Sequence, residues 1–178
     1  MDLIGHYRRM AANNRWSNDR VYRAVLALAP DEFDAPRVSF FPSIAATLNH
    51  VLAVDHLYLD FLEEGGIGAE AFDGYQAVAD PALLFGRQTA ADERLIAFCA
   101  RLTVADLERR VATDRRTDGI VPERIGDLLA HLFLHQIHHR GQVHAMLSGT
   151  SVPPPQLDEF LLDYDLKLRR DEVARLGL

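Results

Sequence analysis

Four long stretches of this chain repeat their apolar residues at a helical period, and no β-branched run separates them. The first spans about Leu3 to Leu28, punctuated by Ile4, Tyr7, Met10, Trp16, Val21, Val25 and Leu28, with Pro30 expected to stop it. The second opens at Ser43, whose hydroxyl suits an N-cap, and runs to about Glu64, where Gly65 and Gly66 offer positive φ. The third opens at Asp80-Pro81 and runs to about Arg101, followed by a short turn in which Thr103 and Asp106 are spaced as a capping box. The fourth runs from about Pro122 or Glu123 to Leu147. Between the third and fourth, Glu108 to Val121 is polar and suits a small hairpin turning at Asp118-Gly119. Val152 to Pro155 reads as an extended proline-rich bridge, and Leu157 to Leu168 as one or two short helices. The expected fold is all-α: a four-helix bundle in one domain, residues 1–178, with short C-terminal helices.

Composition removes several function classes. Lys plus Arg is 19 against 26 Asp plus Glu, a net charge of −7. That balance does not suit a nucleic-acid backbone binder. The single cysteine, Cys99, permits neither an intrachain disulfide nor a cysteine-based metal cluster, and it reads as buried packing. No apolar run is long enough to span a membrane, and Met1-Asp2-Leu3 is not followed by a signal-type apolar region. A cytoplasmic protein with no membrane and no nucleic-acid partner is expected.

The unusual feature is histidine: eight in all, five of them between His131 and His144. At about 100° per residue, His135 and His139 fall in the middle of the fourth segment's apolar stripe, one turn apart. His131 and His138 fall at its edge, and His144 far round beside Phe133 and Ile137. On the second segment, His50 shares a face with Val54, Leu57, Tyr58 and Phe61, whereas His56 lies off it. A lone histidine on an apolar face is commonly a core residue bonded to a carbonyl. Two at i and i+4 converge on one point, as in zinc-protease helices. A neutral imidazole has one lone pair free for a divalent ion, and His50 from a facing helix completes a three-histidine set with positions left open.

These residues resemble the DinB/YfiT-like family of metal-binding four-helix bundles. Asn14-Arg15-Trp16-Ser17-Asn18, preceded by Tyr7, is similar to the family's first-helix pattern. Phe40-Phe41-Pro42-Ser43-Ile44, then Thr47-Leu48-Asn49-His50-Val51-Leu52 and Asp55, resembles its second-helix signature. His131 to Leu147 resembles the fourth, and Pro153 to Asp158 the following tail. The resemblance implies an unusual helix order, often a homodimer, and a divalent ion (nickel, zinc or iron) held by His50, His135 and His139. Some members of the family that the chain resembles are thiol S-transferases that use a low-molecular-weight thiol such as bacillithiol or mycothiol, others are isomerases that use mycothiol, and many have no known activity. The expectation taken from this is a metal-dependent thiol S-transferase, in which the thiol attacks a small electrophilic substrate. The alternatives are a non-catalytic, stress-related metal-binding protein and a metal-dependent hydrolase. The chain departs from the family at Leu134, Ile137 and His56.

Several side chains are candidates for the surroundings of the ion. Asn14, Trp16 and Asn18 either line the pocket or fix the first helix. Arg140 and Gln142 either support a ligand or meet an anionic substrate, and Arg140 also suits an ion pair. His131 and His138 flank the ligands or lie on the surface, and Tyr58 either donates to a bound ligand or packs in the core.

Overall fold

A computed structural model describes residues 2–178. Its long helices are α1 (Leu3–Leu26), α2 (Ile44–Glu63), α4 (Pro81–Arg101) and α6 (Ile125–Leu147). Shorter elements are α3 (Glu70–Asp73), α5 (Val104–Glu108), strands β1 (Arg110–Asp114) and β2 (Ile120–Arg124), and α7 (Leu166–Leu176). The all-α bundle is as expected, and its order is informative. α1 packs on α4 and α6, and α2 packs on the same two helices. The consecutive helices α1 and α2 therefore occupy opposite corners, so α2 meets α6, its partner in the histidine set.

Local chemistry sets most boundaries. Asp2 and Ser43 cap α1 and α2 by accepting from Gly5 N and Ala46 N. Asp80 accepts from Ala82 N and Leu83 N, with Pro81 in the first turn where its missing N–H costs nothing. Thr103 and Asp106 form the expected capping box at the start of α5. The core is closed by side chains such as Leu48, Leu52, Leu84, Leu129 and Leu132, each under 2% exposed. Complete burial of each is worth about 1.5–3 kcal/mol over exposure.

Four expectations are corrected. α1 ends at Leu26, ahead of Leu28, with Ala27 N bonded to Ala24 O and Leu28 N to Val25 O. α2 turns off at Glu64 itself, which takes the left-handed conformation (φ 55°), and Gly65 N bonds to Asp60 O. The buried Asp60 carboxylate then accepts from Ile67 N and Gly68 N; a Cβ on Gly65 would collide with its Oδ1, and Gly66 takes the expected positive φ (77°). α6 starts at Ile125, because Pro122 to Arg124 complete β2, with Pro122 opposite Ala112 in the hairpin. Gly126 marks that start, since a Cβ there would lie 3.1 Å from Leu107 O of α5. At the C-terminus a 3₁₀ turn (163–165) leads into α7, which continues to Leu176, well beyond the Leu168 expected as its limit. α7 is held on α1 by Trp16 Nε1 donating to Glu172 Oε2 (2.6 Å) and by the Arg175–Asp19 ion pair (2.7 Å).

Candidate metal centre

His50 projects from the second turn of α2, and His135 and His139 from one face of α6. One ligating nitrogen from each lies within 4.8 Å of the other two. His50 Nε2 and His135 Nε2 are 3.0 Å apart. Nitrogens about 2.0–2.1 Å from a common ion stand about 3.0–3.4 Å apart, so this spacing suits two ligands of one centre. His139 Nδ1 donates to Gln142 Oε1 at 2.8 Å, which leaves the lone pair on Nε2. Among the described residues, His135 Nδ1 is buried with no hydrogen-bond partner.

Burial depresses all three imidazoles, His50 to about 4 and His135 to about 3, with neighbouring histidines adding to the shift. His139 is lowered by the same desolvation, against which the Gln142 bond acts. Neutral imidazoles with convergent lone pairs are the donor set a divalent transition ion requires.

The surrounding chain builds this pocket. Ala45 N bonds to Phe33 O, and Ser43 Oγ donates to Asp34 Oδ1, which ties the 27–43 connection to the start of α2. That connection lays the Phe41 ring over His50 (4.4 Å between centroids) and near His139 (5.6 Å). Asn49, next to His50, donates to Val78 O and accepts from Tyr75 Oη and Val78 N, pinning the α3–α4 connection beside the site. Tyr58 stacks on His131 at 4.8 Å, and His131 lies 6.1 Å from His135. Arg115 of the hairpin donates to Tyr58 Oη at 3.4 Å and pairs with Glu123.

The remaining candidates separate. Gln142 holds His139 and also donates to His138 Nε2 at 3.1 Å. Tyr58, His131 and His138 border the cluster. Trp16 does not: it is fully buried against Phe160 on the α7 side. Asn14, Asn18 and Arg140 belong to a buried polar network. Arg140 Nη1 donates to Asn14 Oδ1, Asn18 Oδ1 and Gln136 Oε1, and forms no ion pair among the described residues. Asn14 and Asn18 in turn donate to Asp92 Oδ1 (3.0 and 2.9 Å). Gln88 Nε2 and Gln136 Nε2 both donate to Asp55 Oδ2, so Gln136 joins α6 to α2 one residue from His135. Sequence reasoning missed Gln88, Asp92 and Gln136 as a set. The i, i+4 spacing of Gln88 and Asp92 inside the apolar stripe of α4 was the available signal. Of the two apolar residues beside His144 on the wheel, Phe133 is buried and stacked with Tyr7, and Ile137 is exposed. Cys99 is fully buried, its thiol pushed up to about 12 by burial.

Two predictions arise here. Gln142→Ala removes the acceptor that fixes the His139 tautomer. It should lower metal affinity by about 10- to 100-fold, the usual cost of an outer hydrogen-bond partner, with helicity unchanged. Competition against a chelating dye measures this, and an unaltered affinity contradicts it. The second concerns pH. Burial raises Asp55 to about 6, and burial with the Asp55 charge raises Asp92 to about 7, from 3.8. The folded state holds protons that the unfolded chain has released, so this contribution is complete below pH 3.8 and is lost as pH rises towards 7. Asp92→Asn removes the titration. Its stability relative to the parent should therefore improve between about pH 4 and about pH 8 in urea unfolding. A pH-independent difference contradicts the assignment.

Comparison with known proteins agrees with this architecture. Residues 5–167 match the model of the DinB family. A crystal structure of a DinB-like protein from Bacillus subtilis superposes with a TM-score of 0.58, covering 81% of this chain and 95% of that one at 19% identity, a likeness of fold. A segment of 83 residues, 44% of this chain, is 40% identical to tRNA N6-adenosine threonylcarbamoyltransferase of Methylobacterium sp. (strain 4-46) and covers 24% of that protein. The chain thus spans about a quarter of that curated relative. No helix among the described residues is long and apolar enough to cross a membrane.

Proposed function

The chain belongs to the DinB family, and on that premise we propose that His50, His135 and His139 hold a divalent transition ion (nickel, zinc or iron) in a metal-dependent thiol S-transferase. The convergence of three neutral imidazoles from α2 and α6 carries this reading. An ion there would supply Lewis acidity, lowering the pKa of a thiol or water at its open positions to near neutrality. The chain's own residues do the rest. Gln142 orients His139. Phe41 packs its ring against His50 and near His139. His131, at the rim and stacked on Tyr58, stands as acceptor for the thiol proton as sulfur bonds to the electrophile and the leaving group departs.

The test is conjugation of low-molecular-weight thiols to 1-chloro-2,4-dinitrobenzene by protein loaded separately with each ion. The proposal expects ion-dependent product that is lost in His139→Ala. Metal-loaded protein that conjugates no thiol removes the transferase and leaves the non-catalytic reading. Hydrolysis of activated esters by the same loaded protein would instead assign a hydrolase. A homodimer is part of the proposal, with exposed Leu134 on α6 available to it, and is tested by sedimentation velocity.

A further inference from the structure

We propose that the cavity between α1, α6 and the segment 156–161 is a second binding site, for a small amphiphile that carries a carboxylate. It lies on the side of α6 away from the histidine cluster. Ile137 and His144, which line it, are about 140–200° round the helix from His135 and His139. Its volume is about 610 Å³, within the range of small-molecule sites.

The floor decides the chemistry. Arg140 lines the cavity yet is only 4% exposed. Its three protein hydrogen bonds all leave from Nη1, towards Asn14, Asn18 and Gln136. Among the described residues no carboxylate pairs with it, and neither Nε nor Nη2 has a hydrogen-bond partner. Asp92 and Asp55 reach it only through the intervening amides. Asp92 and Asp55 act on this guanidinium at a distance, but no carboxylate among the described residues touches it, and its planar fork matches one. The walls above it are apolar, from Met10, Ile137, Leu157 and Leu161, and Asn13 and Ser17 edge the α1 side. Asp158 also lines the cavity, but it is exposed, and its Oδ1 accepts from Gln156 Nε2. Arg20 and Arg9 donate to Gln156 O and Leu161 O, which holds the segment that forms this wall against α1. A cation at the bottom of a cavity is beyond the reach of a flat protein surface, and this selects a small molecule over a second copy of the chain. The ligand's carboxylate sits on Arg140 and its aliphatic part lies against Leu157 and Leu161.

The test uses octanoate as the probe, octan-1-ol as its neutral counterpart, and the ¹³C-methyl signals of methionine. Met10 lines this cavity, whereas Met146 lies on the other side of α6, beside Gln142. Octanoate should shift Met10 and not Met146, and bind at least roughly tenfold more tightly than octan-1-ol. Gly141 lines the cavity with open space where a Cβ would go. Gly141→Leu should therefore fill the cavity and abolish the Met10 response without lowering the thermal midpoint, and Gly141→Ala should retain it. Equal binding of octan-1-ol, a shift at Met146 alone, or no response to about 10 mM octanoate overturns the proposal. So does a Met10 signal that changes with protein dilution but not with octanoate, which would mean that a second copy covers the cavity. No metal is needed in any arm, so failure here is separate from failure of the transferase reading.

Discussion

Replacing His139 by alanine is expected to leave the bundle folded and unable to retain its ion. The side chain is at the edge of the core, 6% exposed, and Gln142 and the Phe41 ring are its polar and apolar neighbours. Removing it leaves two donors from two helices, too few to outcompete water. The loss should exceed the roughly 10- to 100-fold expected for Gln142→Ala, because a ligand is removed outright. The fold should persist, because the α2–α6 contact also rests on Leu48, Leu52, Leu129 and Leu132 and on the Asp55–Gln136 bond. Circular dichroism together with metal titration reads both halves. An unfolded variant, or one that keeps parental affinity, contradicts the account.

Replacing Arg140 by methionine acts on the fold. The variant leaves Asn14 Oδ1, Asn18 Oδ1 and Gln136 Oε1 without their donor, and removes a positive charge that interacts favourably with ionised Asp92 and Asp55. Asp55 Oδ1 and Asp92 Oδ2 already have no partner among the described residues, so the network has no spare donor to offer. Removing one member of a buried charged group costs about 3–5 kcal/mol, and that loss is expected in denaturant unfolding at neutral pH. Burial lowers Arg140 to about 10, so it is charged at neutral pH and the loss should be larger there than in acid, where both carboxylates are neutral. A change below about 1 kcal/mol would show that the network is not integral to stability.

The histidine set was legible in the sequence because two of its members share one regular helix. On a helix, i and i+4 fix a common direction whatever the tertiary packing, and only His50 had to be supplied from elsewhere. The helix starts at Ser43, Asp80 and Thr103 were legible for a similar reason, since caps act within three residues. What failed was everything decided across the chain. Pro122 reads as a first-turn residue, but β1 recruits it into the hairpin, where an edge strand tolerates the missing N–H. The sequence of α7 has few apolar residues, and its length depends on Trp16 and Asp19 of α1, which are remote in sequence. Asn14, Asn18 and Arg140 look like neighbours of the metal ligands when read singly. Their pairing with Asp92, Gln88 and Gln136 across α1, α4 and α6 makes them the polar interior of the bundle.

The measurement that bears most directly on the central claim is elemental analysis of untagged protein purified without chelator, beside the His50→Ala/His139→Ala double variant. Three converging imidazoles predict close to one equivalent of a transition ion in the parent and almost none in the folded variant. A parent that holds no ion, even after reconstitution with nickel, zinc and iron(II), would contradict the assignment of these histidines as ligands.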